Sequence, residues 1–295
     1  MILVFGASGS IGRRLVELLP ADEVVAFARD PAKGAALGCR YVVGDLDDPV
    51  SVASALVGVE RVFLNAGGAV PAPGEQPMVR QQRAVIDAAV AAGVAHVVKL
   101  SVWHAAADGL LAEGAHWEVE EHLRSSGLGW SVLRPSGFMQ NFVTGGGTFT
   151  ENGHLLGAYG DARVSYVDCA DIAAAAAVLL TGDPRPGSTF VLTGPEALTQ
   201  AEIAARLSVV AGREIRYVDL PAVEFAKRLV ALGVPEAFAG DVATLFADVA
   251  GGRLEGTTPD LAGLIGRPAR TFDEFLAAEA DAVRQVWADE VHTFE

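Results

Sequence analysis

The chain has 295 residues, 51% hydrophobic and 20% charged, which is ample for a sizeable buried core. Its formal net charge of −15 sets it against phosphate backbones and anionic lipid, so neither nucleic acid nor a membrane is an expected partner. Its two cysteines, Cys39 and Cys169, share no metal-ligand spacing, so a reduced, cytoplasmic protein with no metal site is expected.

Residues 2–5 form a short apolar run bounded by glycine, as in a strand buried on both faces, and not the longer run of a signal peptide. A helix is predicted over 11–19, with Leu15, Leu18 and Leu19 on one side. Strands at 24–28 and 40–43 flank a short loop or helix, and 50–56 reads as helical. A strand at 61–64, a helix at 78–92 ending at Gly93, and a strand at 94–101 follow. Strands alternating with amphipathic helices at such short spacings predict a parallel, doubly wound sheet. The helix at 117–126 stops at Gly127, and the strand at 129–134 is cut by Pro135.

The apolar stretch 172–180 is too short to span a bilayer and reads as a packed helix. Later strands are predicted at 188–192 and 214–218, and helices at 199–211, 223–232, 235–250 and 272–287. The expected architecture is therefore α/β: a Rossmann-type core over 1–150, to which 161–195 returns, and a small, mainly helical C-terminal substrate lobe over 196–295. The glycine-rich stretch 145–160 is expected to carry the crossing.

Gly6-Ala7-Ser8-Gly9-Ser10-Ile11-Gly12 lies between the first strand and the first helix. A tight turn there needs residues without a Cβ clash, and a pyrophosphate needs bare amides at a helix N-terminus. Ser8 and Ser10 can add hydroxyl donors. The second strand ends Ala28-Arg29-Asp30, where Arg29 can pair with the 2′-phosphate of NADPH and Asp30 leaves NADH open. Asp45 and Leu46, after the third strand, are candidates for the adenine, with an ordinary helix cap as the other reading of Asp45. Asn65, Ala66 and Gly67, after the fourth, let the backbone approach a ribose.

Together with the run Lys99-Leu100-Ser101, the segment from His116 to Glu121, Leu133-Arg134-Pro135, and Phe138 to Asn141, these motifs resemble the atypical short-chain dehydrogenase/reductases of the NmrA-like group. That group includes NAD(P)H:quinone oxidoreductases and triphenylmethane reductases. The resemblance implies an NADPH-dependent reductase for a quinone-like or conjugated small molecule. It also leaves open a non-catalytic NAD(P)-binding redox sensor or a dedicated natural-product biosynthetic reductase. No Tyr-x-x-x-Lys occurs; the matching helix start carries His116, with Glu120 where the lysine would stand. The catalytic candidates are His116 as proton donor and Ser101 at the end of the fifth strand; a packing histidine and a capping serine are the other readings. Lys99 and Pro135 are expected near the nicotinamide, and Trp103, His104, Phe138, Met139 and Asn141 near the substrate. Oligomeric state leaves no mark on the sequence.

Overall fold

β1 (Ile2–Val4) is buried along its whole length in the computed structural model, which describes residues 1–71, 74–144, 149–150 and 152–288. An apolar strand with no polar alternation requires cover on both faces. α1 (Ser10–Leu18) supplies part of it, burying Ile11, Leu15 and Val16. β2 (Val24–Ala28) is equally sealed. α2 (Pro31–Ala35) and α3 (Pro49–Ala55) start the same way: an aspartate, Asp30 or Asp48, accepts a free amide, and the proline that follows has none to satisfy. Between them lies β3 (Arg40–Val43), the exposed sheet edge.

β4 (Arg61–Leu64) leads to α4 (Pro77–Ala92), which ends on the left-handed Gly93. β5 (His96–Leu100), α5 (Ala112–Ser125) and β6 (Gly129–Pro135) complete the alternation. α5 starts at Ala112, earlier than the sequence predicts. Gly114, which reads as a helix breaker, is there because a Cβ would stand 2.3 Å from the Gly109 carbonyl oxygen.

Past β6 come a 3₁₀ turn (Met139–Phe142), β7 (Leu155–Gly157) and β8 (Arg163–Val164). α6 (Cys169–Thr181) and β9 (Ser188–Leu192) follow, then β10 (Leu198–Thr199), α7 (Gln200–Ala211) and β11 (Tyr217–Asp219). The remainder is helical: α8 (Ala222–Ala231), α9 (Glu236–Ala250), α10 (Asp260–Ile265), α11 (Phe272–Ala278) and α12 (Ala280–Val286). The single helix expected over 272–287 is thus two, parted at Glu279, whose φ of −107° and ψ of 22° leave the helical range.

Seven strands form one parallel sheet in the order β3-β2-β1-β4-β5-β6-β9, the Rossmann-type doubly wound arrangement predicted. Strand order reverses between β1 and β4, where ligands bind such sheets. The sheet belongs to one compact unit, Met1–Pro135 with Cys169–Leu192 and Pro259–Arg267. Leu3, Phe5, Leu64, Ile86 and Val119 belong to its core.

The described parts of Ser136–Asp168, Thr193–Thr258 and the chain from Pro268 onward form a second unit. Met139, Phe142, Tyr166, Phe272 and Trp287 lie in its core. The division departs from the expected bounds at both ends. Ser136 already belongs to the second unit, and Pro259–Arg267 returns to the first. That return is fixed by the Asp260 carboxylate, which accepts from Val191 N at 2.8 Å, and by Arg267, 2.6 Å from Asp171. In the stretch expected to carry the crossing, residues 145–148 and 151 lie outside the described residues.

Candidate functional site

The segments that follow β1, β2, β3 and β4 open onto one cleft of about 320 Å³. Gly6 and Ser8 line it from the first, Arg29 from the second, Asp45 and Leu46 from the third, and Asn65, Ala66 and Gly67 from the fourth. These eight positions, scattered over 62 residues of sequence, are brought together by strand order alone. Phe27, Ala28, Gly44 and Gln81 also line the cleft. Gln81 carried no motif in the sequence.

The glycine loop is shaped by two close approaches. Gly6 has φ +71°, and a Cβ there would meet the Asn65 carbonyl oxygen at 2.9 Å. Gly12 has no room at all, since a Cβ would stand 2.1 Å from the Gly6 oxygen. Helix α1 therefore starts tight against the strand end. Its N-cap is Gly9, with no side chain to satisfy the first-turn amides, so that turn presents free donors at the positive end of the helix dipole. Ser10 is exposed there, while Ile11 turns into the core.

Electrostatics sort the two residues that compete for the adenosine ribose. Asp30 is occupied: its Oδ1 accepts from Ala32 N at 2.8 Å as the cap of α2. Arg29 is exposed, lines the cleft, and has no ion pair among the described residues. The cleft is therefore lined by a guanidinium suited to a phosphate and not by Asp30, one of whose oxygens caps α2. The Asp45 Oδ1 closes a local turn by accepting from Asp47 N at 3.0 Å. Asp47 in turn holds Arg80 at 2.7 Å and Gln81 at 2.9 Å, and these two donors keep its carboxyl below the usual range. These features fit a dinucleotide carrying an additional phosphate.

A second, buried cluster lies beside the first. Leu64 and Lys99 are register partners, so the end of β5 adjoins the Asn65 segment. Lys99 is fully buried, with Nζ 2.9 Å from His116 Nδ1 and donating also to the Leu100 carbonyl. Burial pushes the Lys99 amine down to about 7, against the pull of Glu120. Burial, then Lys99, push the His116 imidazole well below its ordinary range, so it is neutral at pH 7. His116 therefore does not itself titrate near neutrality, as the sequence reading assumed; the group that does is Lys99.

Ser101 donates its hydroxyl proton to Glu120 Oε1 at 2.5 Å. Glu120, wholly buried, also receives Arg134 through two nitrogens and Arg124 through one. The Arg124 guanidinium lies 5.4 Å from the ring centroids of both Trp117 and Trp130. Where a Tyr-x-x-x-Lys helix would carry its lysine, this one carries a carboxylate neutralised by two arginines. A lysine arrives next to His116 from the neighbouring strand instead. Nothing local in the sequence announces either contact, because the partners are 14 and 17 residues apart on different elements.

The loop between β5 and α5 holds His104 at φ 62° and Leu111 at φ 52°, a left-handed backbone that non-glycine residues adopt only under constraint. Trp103 N donates to the Pro135 carbonyl at 2.8 Å, and the Trp103 and His104 rings stack at 4.7 Å. Pro135 is buried at the end of β6, and Lys99 does not line the cleft. Phe138, Met139 and Asn141 belong to the second unit. Met139 is 1% exposed and packs in that unit's core, Phe138 bridges to Val167, and Asn141 N donates to the Phe138 carbonyl. Among the described residues no group of three or more His, Cys, Asp or Glu is placed to hold a metal, and no helix is long and apolar enough to cross a membrane.

Sheet order, glycine loop and cleft define a dinucleotide-binding protein of the Rossmann type. The chain belongs to the NmrA-like family, which matches residues 1–276. It is similar to the NAD(P)H azoreductase of Xenophilus azovorans, with 36% identity over 96% of this chain and 99% of that protein. The NADPH complex of the NADPH-dependent quinone oxidoreductase of Escherichia coli superposes with a TM-score of 0.81 and 32% identity, covering 94% of this chain and 99% of the other. The NADP(H) complex of Citrobacter sp. triphenylmethane reductase superposes with a TM-score of 0.79 and 27% identity, covering 97% and 100%.

Proposed function

We propose that this chain is an NADPH-dependent reductase acting on quinone-like or otherwise conjugated, electron-poor small molecules. The observation that carries the reading is the pairing at the end of β2: Arg29 lines the cleft with no carboxylate in ion-pair contact among the described residues, and Asp30 caps a helix through Oδ1. Relatives named for azo compounds, quinones and triphenylmethane dyes support the acceptor class.

In this reading Gly6, Ser8, Gly9, Ser10, Ile11 and Gly12 hold the pyrophosphate on backbone and hydroxyl donors, and Arg29 holds the 2′-phosphate. Asp45 and Leu46 flank the adenine, Asn65, Ala66 and Gly67 the ribose, and Pro135 the nicotinamide. When bound, NADPH supplies a hydride. Acceptors that stabilise the resulting negative charge by conjugation need orientation more than acid assistance, which accords with the missing tyrosine. The Trp103–His104 stack offers a flat surface to a planar acceptor, and His116 supplies the one proton the reduction consumes. Ser101, its own proton committed to Glu120, holds the cluster in place and does not act as an acid.

The test is NADPH oxidation by the purified protein with a panel of quinones, enones and azo dyes, with product formation measured alongside. Stoichiometric reduction of one of these classes is expected. Tight NADPH binding with no turnover across the panel would contradict the reading.

A further inference from the structure

Lys99 is a buried ammonium-bearing residue to which the cofactor cleft gives no role, yet its amine is the nearest polar partner of the histidine assigned to proton delivery. We propose that Lys99 is a positioning residue that fixes the hydrogen of His116 on Nε2 and resupplies that proton after it is delivered; this rests on the reductase reading above. An ammonium group only donates. With Lys99 in its ammonium form and Nζ 2.9 Å from Nδ1, that ring nitrogen accepts, and in a neutral imidazole the hydrogen then stays on Nε2. Nε2 has no protein partner among the described residues, and it is not among their sealed polar atoms. It is therefore the nitrogen left to act.

The surroundings keep the proton from going elsewhere. The groups facing this pair are Glu120 from α5, Ser101 and the Leu100 carbonyl at the end of β5, and, through Glu120, Arg134 of β6 and Arg124. Both Glu120 oxygens are engaged: Oε1 by Ser101 and the Arg134 Nε, Oε2 by Arg134 and Arg124. The carboxylate is thus no competing base, while its charge still favours the ammonium form of Lys99. Burial brings the Lys99 amine to about 7, where giving up a proton to His116 and regaining it are nearly balanced.

The step balances as follows. An acceptor that has taken a hydride carries a negative oxygen. The Nε2–H bond of His116 breaks as an O–H bond forms, Nδ1 takes a proton from Lys99, and Nζ keeps the electron pair as a neutral amine. The Nδ1 proton then returns to the neutral Nζ, restoring the ammonium, as Nε2 takes one proton from water and leaves hydroxide, so the cycle consumes a single solvent proton.

Nitrogen NMR of histidine-labelled full-length protein reads the tautomer directly, without turnover. His116 is expected as a neutral ring with hydrogen on Nε2, and Lys99→Met is expected to show both tautomers. NADPH affinity should change by less than about twofold in the variant, since the Lys99 amine is engaged by His116 and the Leu100 carbonyl. With a quinone acceptor, the wild-type kcat should decline above about pH 7, and in Lys99→Met it should be about tenfold lower near neutrality with that decline gone. Hydrogen on Nδ1 in the wild type overturns the proposal, even if Lys99→Met does not fold. So does a variant that keeps both the wild-type tautomer and the wild-type pH profile. A wild type that shows Nε2–H but reduces no acceptor counts against the reductase reading alone.

Discussion

Arg134 meets Glu120 side-on, Nε to Oε1 at 3.0 Å and Nη2 to Oε2 at 2.6 Å, with the carboxylate wholly buried and the arginine side chain 17% exposed. A buried pair of this kind is costly to break from one side, because the remaining charge has no solvent to turn to. Glu120→Leu should destabilise the protein by about 3–5 kcal/mol, whereas Glu120→Leu with Arg134→Leu should recover much of that. Urea denaturation of the two single variants and the double variant checks this. Strict additivity would show that the pair is not coupled.

Gly12 is held against the Gly6 carbonyl, so even one methyl group has to push the helix off the strand. Gly12→Ala should lower stability by about 1–3 kcal/mol, seen as a fall in Tm. Gly67→Ala, at a glycine lining the same cleft with nothing within 4 Å of a Cβ, should fold as the wild type does.

Asp30 is spent on α2. Asp30→Ala should cost about 1 kcal/mol for the lost cap and leave the preference for NADPH over NADH where it was. A large gain or loss of NADH binding in that variant would assign the ribose to Asp30.

His96 is buried on β5 with Nε2 3.0 Å from the Ser131 hydroxyl, and burial, helped by Arg61, brings its imidazole down to about 4. The unfolded chain binds a proton near pH 6.5 and the folded chain does not, so the neutral ring contributes stability in full above about 6.5. That contribution is lost as pH falls from about 6.5 toward 4, and His116 acts in the same direction. The urea midpoint should therefore fall over this range, and less so in His96→Gln.

The sheet was legible because most of its strands are short apolar runs alternating with helices, and the glycine loop because its spacing states its own geometry. The eight cleft positions followed from one rule, that ligands meet the carboxyl ends of strands. The buried cluster was not legible. His116 and Glu120 stood out for failing to match a tyrosine and a lysine, but their partners Lys99 and Arg134 arrive from other strands, and only packing decides that. Met139, expected near the substrate, packs in the second unit's core. Local pattern could not reveal the return of Pro259–Arg267 to the first unit, which depends on Asp260 and Arg267 meeting Val191 and Asp171 across 69 and 96 residues.

The claim on which the functional account turns is that Arg29 reads the 2′-phosphate. Titration of wild type and Arg29→Ala with NADPH and NADH, followed by nicotinamide fluorescence, tests it most directly. Losing a bidentate, charge-assisted contact should weaken NADPH binding about tenfold or more, or about 1.5–3 kcal/mol, and leave NADH within about twofold. Equal affinities for the two nucleotides in the wild type, unchanged in Arg29→Ala, would contradict it.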